Sequence, residues 1–304
     1  MRIIVAFGLF AALGVAVSAF GQDSASTRFE TKEVRDVVYK VVDGQELKLN
    51  MFLPTKDGEP VTKAPVLIDI VSGGWHSGAP GDGGFWRACG SVDHGFAVVS
   101  LTHRSVSPNC VFPAQIEDVK AGVRFLRANA EKYGLDPDRI AAMGASSGGH
   151  MASMLGLSDK YRQFDVGENL DYSSQVQVVV DLCCTADMKT YLATVPEQVP
   201  DPVYSVLGSE KRSDVPYEEQ AKPLLEKAAL YSPITYVDAE FSPTIILQGG
   251  LDPLVIPKQS ELFYEALKGA GVRSELWIDK TQGHTASIFS QEDRQKTIFE
   301  FLQW

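Results

Sequence analysis

The chain has 304 residues, with 28 Lys and Arg against 39 Asp and Glu and a formal net charge of -11. That length accommodates one large α/β domain or two small ones, and 44% hydrophobic residues supply a substantial core. The acidic balance argues against nucleic acid and anionic membrane surfaces as partners, and identifies no substrate.

Residues 1–21 read as a signal peptide. Arg2 supplies the positive start, Ile3 to Phe20 is almost wholly apolar, and small residues follow as Val17-Ser18-Ala19 or Ala19-Phe20-Gly21 before Gln22. The alternative is an uncleaved anchor, because the apolar run is near the lower length limit for a spanning helix. Either way the pattern predicts export. The expected location is secreted or periplasmic, with no membrane partner in the mature form.

Val34–Val42 and Glu46–Leu53 predict two strands around an Asp43-Gly44 turn, a hairpin signal. Ala64–Val71 and Phe96–Leu101 are continuous apolar runs, as expected for strands buried on both faces. Ala114–Tyr133 predicts a helix, with Ile116, Val119, Val123, Leu126 and Ala130 at helical spacing. Asp136-Pro137-Asp138 ends it, and Arg139–Met143 is a short buried strand. A helix over Ser147–Leu157, strands at Val176–Leu182 and Pro243–Leu247, a helix over Lys258–Ala270, a strand at Ser274–Ile278 and a helix over Glu292–Phe301 complete the series. This order predicts an α/β fold: a mostly parallel eight-stranded sheet with an antiparallel start and helices on both faces. Function in such sheets sits at the carboxyl ends of the strands.

Residues 186–240 break the rhythm. They contain no good strand but carry helical pieces, notably Glu218–Ala229. The stretch is either a cap or lid over the strand ends or ordinary connecting helices packed on the sheet. Four cysteines complete the inventory. Cys89–Cys110 is the disulfide to test first, whereas the neighbours Cys183 and Cys184 read as buried free thiols. No Cys-x-x-Cys occurs and the five histidines are scattered, so no metal site is expected.

Gly144-Ala145-Ser146-Ser147-Gly148 spells G-x-S-x-G between an apolar strand and a small-residue helix. That pattern leaves a serine hydroxyl on a sharp turn at a helix N-terminus, where free N–H groups face a developing oxyanion. Ser147 would need A-x-S-x-G, so Ser146 is the better nucleophile. A serine needs a base, and the base needs a third group to fix its tautomer. Asp252 stands on a Gly-rich turn just past the Pro243–Leu247 strand, and His284 on a loop past the Ser274–Ile278 strand. His284 is the only histidine downstream of Asp252. His94 and His103 precede the elbow, His150 lies on its helix as a structural residue, and His76 is a candidate for the pocket mouth.

Together these segments resemble the α/β-hydrolase superfamily over roughly residues 35–304, and among its members the small secreted esterases: hormone-sensitive-lipase-like, feruloyl and carbohydrate acetyl esterases. The most specific likeness runs from Phe112-Pro113-Ala114-Gln115 through Tyr133-Gly134-Leu135-Asp136-Pro137 into the elbow and Gly149-His150. The resemblance implies an α/β-hydrolase domain over 22–304, a Ser146–His284–Asp252 triad and no cofactor. It places the oxyanion hole at Gly73, Gly74 and the Ser147 N–H, with Trp75 as the alternate donor. Val71 and Ser72 replace the His and first Gly of the family's H-G-G-G-W loop, and Gln248 stands where a His often precedes Gly249. Trp75, His76 and Trp86, together with Phe85, are candidates for the substrate pocket; the aromatics are equally readable as core beneath the loop. The implied reaction is hydrolysis of a small-molecule or carbohydrate ester, acetyl or feruloyl, through an acyl-enzyme. An exported peptidase, a lipase-like hydrolase or an inactive binding module of this fold are the alternatives.

Overall fold

The structure, a computed structural model, describes residues 29–76, 79–84, 90–284 and 292–302. The signal-peptide stretch, Phe85, Trp86 and Cys89 therefore lie outside the described residues, and with Cys89 the Cys89–Cys110 pairing. Among the described residues no helix is long and apolar enough to cross a membrane.

β1 (Glu30–Val42) and β2 (Gln45–Lys56) form the expected antiparallel hairpin. Asp43 and Gly44 take φ 50° and 80°, the double left-handed turn that matches strand twist. β1 starts four residues earlier than the alternation suggested and is bulged near Asp36, whose N–H donates to Asn50 Oδ1 at 2.9 Å. β3 (Glu59–Pro60) is a two-residue addition beside β2.

The remaining strands are β4 (Ala64–Ile70), β5 (Ala97–Leu101), β6 (Leu135–Ala145), β7 (Val178–Leu182), β8 (Thr244–Gly249) and β9 (Ser274–Asp279). The sheet order is β1-β2-β5-β4-β6-β7-β8-β9, parallel from β5 onward. Apart from β3 this is the predicted eight-stranded sheet. The chain goes from β4 to β5 on one side, then returns to lay β6 on the other side of β4. That reversal opens a crevice at the carboxyl ends of β4 and β6, where ligands bind in open α/β sheets.

Both faces of the sheet are covered. One face carries Val66, Ile68, Val99, Ala142 and Val179, packed against α1 (Ala114–Ala128), α3 (Ser147–Met154) and α8 (Lys258–Gly269). The other carries Leu67, Val98, Met143, Val180 and Leu247, packed against Ile298 and Phe301 of α9 (Glu292–Phe301). Alternate strand residues go to opposite faces, which is why these strands read as unbroken apolar runs. α2 (Ala130–Tyr133) follows α1 directly, so the helix expected over 114–133 is interrupted at Asn129.

Residues 186–240 contain no strand. They form α4 (Met188–Thr194), α5 (Asp201–Val206), α6 (Tyr217–Ala221) and α7 (Leu225–Leu230), joined by 3₁₀ turns. Tyr191, Leu192, Val203 and Tyr204 are buried, so the segment is packed down. Tyr191 Oη donates to Leu254 O at 3.2 Å, and Pro202 lies hard against Gly74, so the insertion abuts the loops at the carboxyl end of the sheet.

Candidate active site

β6 ends at Ala145, and Ser146 takes φ 54° and ψ -118°, a conformation L-residues rarely hold without surrounding constraint. The constraint is crowding. A Cβ on Gly144 would stand 2.3 Å from the carbonyl carbon of Gly148, and one on Gly148 2.5 Å from Ile70 O. Gly149, outside the sequence motif, is equally required: its Cβ would meet Gly144 O at 2.8 Å and Asp181 Oδ1 at 2.9 Å. Ser146 N–H donates to Leu182 O at 2.7 Å, which ties the turn to β7. Ser147 is the first residue of α3 and carries one of its free N–H groups. Its own side chain is 2% exposed and its Oγ has no hydrogen-bond partner.

Asp252 and His284, 32 residues apart in sequence, are brought together at the ends of β8 and β9. His284 Nδ1 donates to Asp252 Oδ2 at 2.7 Å. The carboxylate is 4% exposed, and its other oxygen accepts the Leu254 and Val255 N–H groups at 2.8 and 2.9 Å. Burial pushes this carboxyl up, but hydrogen bonds from His284, Val255 and Leu254 outweigh it and leave it below the usual carboxylate range. The acid is therefore ionised and fixes the imidazole with its proton on Nδ1.

Gln248 completes this corner. Its Nε2 donates to Asp252 Oδ2 at 3.2 Å, Gly249 O at 2.9 Å and Val255 O at 3.1 Å, and its Oε1 accepts from Ser260 Oγ at 2.8 Å. Its replacement of the family's histidine was visible in the sequence, but not its role as the anchor of the acid.

Cys183, just past β7, links the pair to the elbow. It follows Leu182, whose carbonyl holds the Ser146 N–H, and the donor atoms of Cys183, Asp252 and His284 lie within 4.8 Å of one another. Among the described residues no other grouping of Cys, His and acid side chains is close enough to ligate a metal. Burial pushes the thiol well up, so it stays protonated, and the Asp252 and His284 donors are already bonded to each other. Cys183 and Cys184 are buried free thiols, as expected.

The loop after β4 holds Gly73, Gly74 and Trp75 at φ 121°, 65° and 62°. Glycine accepts the first two without a Cβ clash, and the Gly74 Cβ position is closed by Pro202 at 2.9 Å. Trp75 is 3% exposed. Its Nε1 donates to His150 Nδ1 at 3.3 Å, and its ring packs edge-on to Phe112, whose face stacks on His150. His150 in turn donates from Nε2 to Tyr231 O at 2.7 Å. Burial lowers the His150 pKa to about 4, so it is a neutral brace rather than a base. Trp75 thus sits beneath the loop with its ring committed to Phe112 and His150, rather than on an open stacking face. Val71 and Ser72 cannot brace the loop as the family's residues do; the Trp75–His150 pair does so from below.

His76 is exposed and donates from Nδ1 to Gly74 O at 3.1 Å. It forms one edge of a cleft of about 630 Å³ that is otherwise lined by the 106–111 loop and by residues 205–212 of the insertion. Trp86 lies outside the described residues.

Beneath the elbow, Asp181 of β7 is buried, with Oδ1 accepting the Cys184 N–H at 3.0 Å and Oδ2 unpartnered. Burial raises its pKa from 3.8 to about 7. The native state then holds a proton that the unfolded chain loses, so stability falls as pH rises from about 4 to about 7 and stays lower above. Asp181→Asn is expected to raise Tm relative to the wild type at pH 8, with the gain vanishing as the pH approaches 4. Thermal melts across that range check it; a gain independent of pH would contradict it.

A strained serine elbow, a His–carboxylate pair and a glycine loop at the switch point of this sheet define an α/β-hydrolase. The chain belongs to the BD-FAE family, whose model matches residues 49–267. It is 31% identical over 249 residues to Esterase LipQ of Mycobacterium tuberculosis, spanning 80% of this chain and 55% of that one. The chain covers about half the length of the curated relatives it matches. Among solved structures it resembles the thermophilic esterase Est2 of Thermogutta terrifontis, with 27% identity, a TM-score of 0.67, and coverage of 90% of this chain and 89% of that one. It also resembles a bifunctional GH43-CE protein of Bacteroides eggerthii, with 30% identity, a TM-score of 0.69, and coverage of 93% of this chain but 36% of that one.

Proposed function

We propose that this protein is an exported serine carboxylic-ester hydrolase that acts on acetyl or feruloyl esters of carbohydrate. The observation that carries the reading is the 2.7 Å His284–Asp252 hydrogen bond beside the strained Ser146 turn. His284, oriented by Asp252, takes the proton of Ser146 Oγ as that oxygen attacks the ester carbonyl. The N–H groups of Ser147, Gly73 and Gly74 stabilise the oxyanion. His284 then protonates the departing alcohol, and water, deprotonated by the same imidazole, releases the acid and restores Ser146.

Esterase relatives and the esterase neighbour Est2 support the reaction class, and structures of that neighbour with butyrate and with propionate bound accord with a short acyl group. The carbohydrate portion rests on the likeness to the bifunctional GH43-CE protein, and export on the Arg2-to-Gly21 pattern. A panel of p-nitrophenyl acetate, longer p-nitrophenyl esters, methyl ferulate and acetylated xylan tests the substrate. Cleavage of the acetyl or feruloyl members is expected; activity confined to long-chain esters would replace this reading with a lipase-like one.

The Trp75–His150 bond supplies a further test. Trp75→Phe keeps the aromatic packing but removes the indole N–H, loosening the glycine loop without touching its donors. A fall in kcat of roughly tenfold to a hundredfold is expected, part of the loss seen when an oxyanion donor is deleted outright. Unchanged kcat would mean that the loop holds its shape without this bond.

A further inference from the structure

The cleft beside the glycine loop has a lining unlike that of an acyl pocket. One wall is apolar: Val106, Pro108 and Val111. The other carries Ser205, Ser209, Glu210 and Arg212, with His76 at the edge nearest the oxyanion loop. His76 is two residues from Gly74, and Pro202, near the start of α5, closes on Gly74 itself. The cleft therefore borders the glycine loop, through His76 and its 3.1 Å bond to Gly74 O, and runs out along the insertion.

The polar wall is held in place before any ligand arrives. Gln220 clamps it: its Oε1 accepts the Arg212 N–H at 2.6 Å, and its Nε2 donates to Arg212 O at 2.6 Å and Val215 O at 2.7 Å. Lys211 Nζ donates to Glu197 O and Val199 O at 3.0 and 2.8 Å. The Phe112 N–H donates to Val206 O at 3.0 Å, fastening the insertion to the opposite loop. A rim fixed in this way loses little conformational entropy on binding.

We infer that this cleft is the subsite for the alcohol half of the carbohydrate ester proposed above, with Glu210 and Arg212 setting which alcohol it accepts; the inference rests on that ester-hydrolase reading. At about 630 Å³ the cleft is several times larger than an acetyl group needs, and lies within the range of ligand pockets. A fatty acyl chain here would lie against a carboxylate, a guanidinium and two serine hydroxyls and return no hydrogen bond to any of them. A sugar satisfies both walls at once: its hydroxyls bond Glu210, Arg212 and the serines, and its C–H faces lie on Val106, Pro108 and Val111. Glu210 and Arg212 are the specificity-determining pair. Arg212 is shared with Asp214 at 2.6 Å, on an exposed rim where substitution leaves the core intact.

The test compares kcat/KM for an acetylated xylo-oligosaccharide with kcat/KM for p-nitrophenyl acetate, in the full chain and in a Glu210→Ala/Arg212→Ala variant. The ratio of the two is expected to fall roughly tenfold or more, as loss of hydrogen bonds to charged groups implies, and mainly through KM for the oligosaccharide. An unchanged ratio, in a wild type that opens both substrates, overturns the subsite and leaves the ester-hydrolase reading standing. A wild type that opens p-nitrophenyl acetate but not the oligosaccharide overturns the carbohydrate reading and this subsite together. Failure on both substrates overturns the hydrolase reading itself.

Discussion

Ser146→Ala is expected to lower kcat on p-nitrophenyl acetate by about four to six orders of magnitude, with the fold and Tm retained. The residue at the elbow needs a Cβ that tolerates φ 54°, and alanine presents the same Cβ as serine, so the strain of the turn is unchanged. Its backbone bonds, to Leu182 O and from His150 N–H, do not involve the hydroxyl. Only the attacking oxygen is lost. Ser147→Ala should cost far less, because that hydroxyl is buried at 2% exposure and only the backbone N–H of the residue has a role. Full activity in Ser146→Ala, with loss in Ser147→Ala, would move the nucleophile by one residue and undo the account of the turn.

The second large effect concerns the acid. Asp252→Asn is nearly isosteric, yet a loss in kcat on the order of 10⁴ is expected. The reason lies in which oxygen holds what. Oδ1 accepts two backbone N–H groups, from Leu254 and Val255, which cannot rotate away. An asparagine must therefore turn its carbonyl oxygen to them and its NH₂ to His284. The imidazole then has to accept at Nδ1 and carry its proton on Nε2, the tautomer that cannot take a proton from Ser146. The Gln248 amide, which donates to Oδ2 in the wild type, is left facing a second donor. Steady-state kinetics check the rate, and imidazole ¹⁵N chemical shifts check the tautomer. A variant with near-normal kcat and the proton still on Nδ1 would refute this assignment.

Much of the site was legible because it follows chain order and local chemistry. The Asp43-Gly44 turn specified its hairpin, and the apolar strand before G-x-S-x-G placed the elbow at the end of β6. Asp252 and His284 each follow the strand that the pattern called for, and the structure joins them. What was illegible depends on contacts between distant residues. The Trp75–His150 bond spans 75 positions, and nothing in either neighbourhood announces it. Gln248 read as a departure from a pattern; only its placement against Asp252 and Ser260 shows it as an anchor. Asp181 looked like one polar residue in a buried strand, and its charge cost follows from complete burial under the elbow.

The boundary errors have local causes. The helix expected over 114–133 is interrupted at Asn129, which leaves helical geometry at φ -110° and ψ 16° while its Nδ2 and its backbone N–H both donate to Phe125 O, at 2.9 and 3.0 Å. Asp136-Pro137-Asp138 looked like a turn that ended before the strand, whereas β6 runs through it from Leu135. There Ala64 pairs with Leu135 across an irregularity in the β4–β6 ladder. The insertion was recognised by its lack of strands. Its contact with the glycine loop through Pro202, which makes it one wall of the cleft, required the packed structure.

The most direct measurement of the central claim is covalent labelling of the full chain with a fluorophosphonate probe, followed by peptide mapping. One adduct per chain is predicted, on Ser146, abolished in Ser146→Ala and strongly slowed in Asp252→Asn. An unlabelled native chain, or an adduct that persists when Ser146 is alanine, would contradict the account.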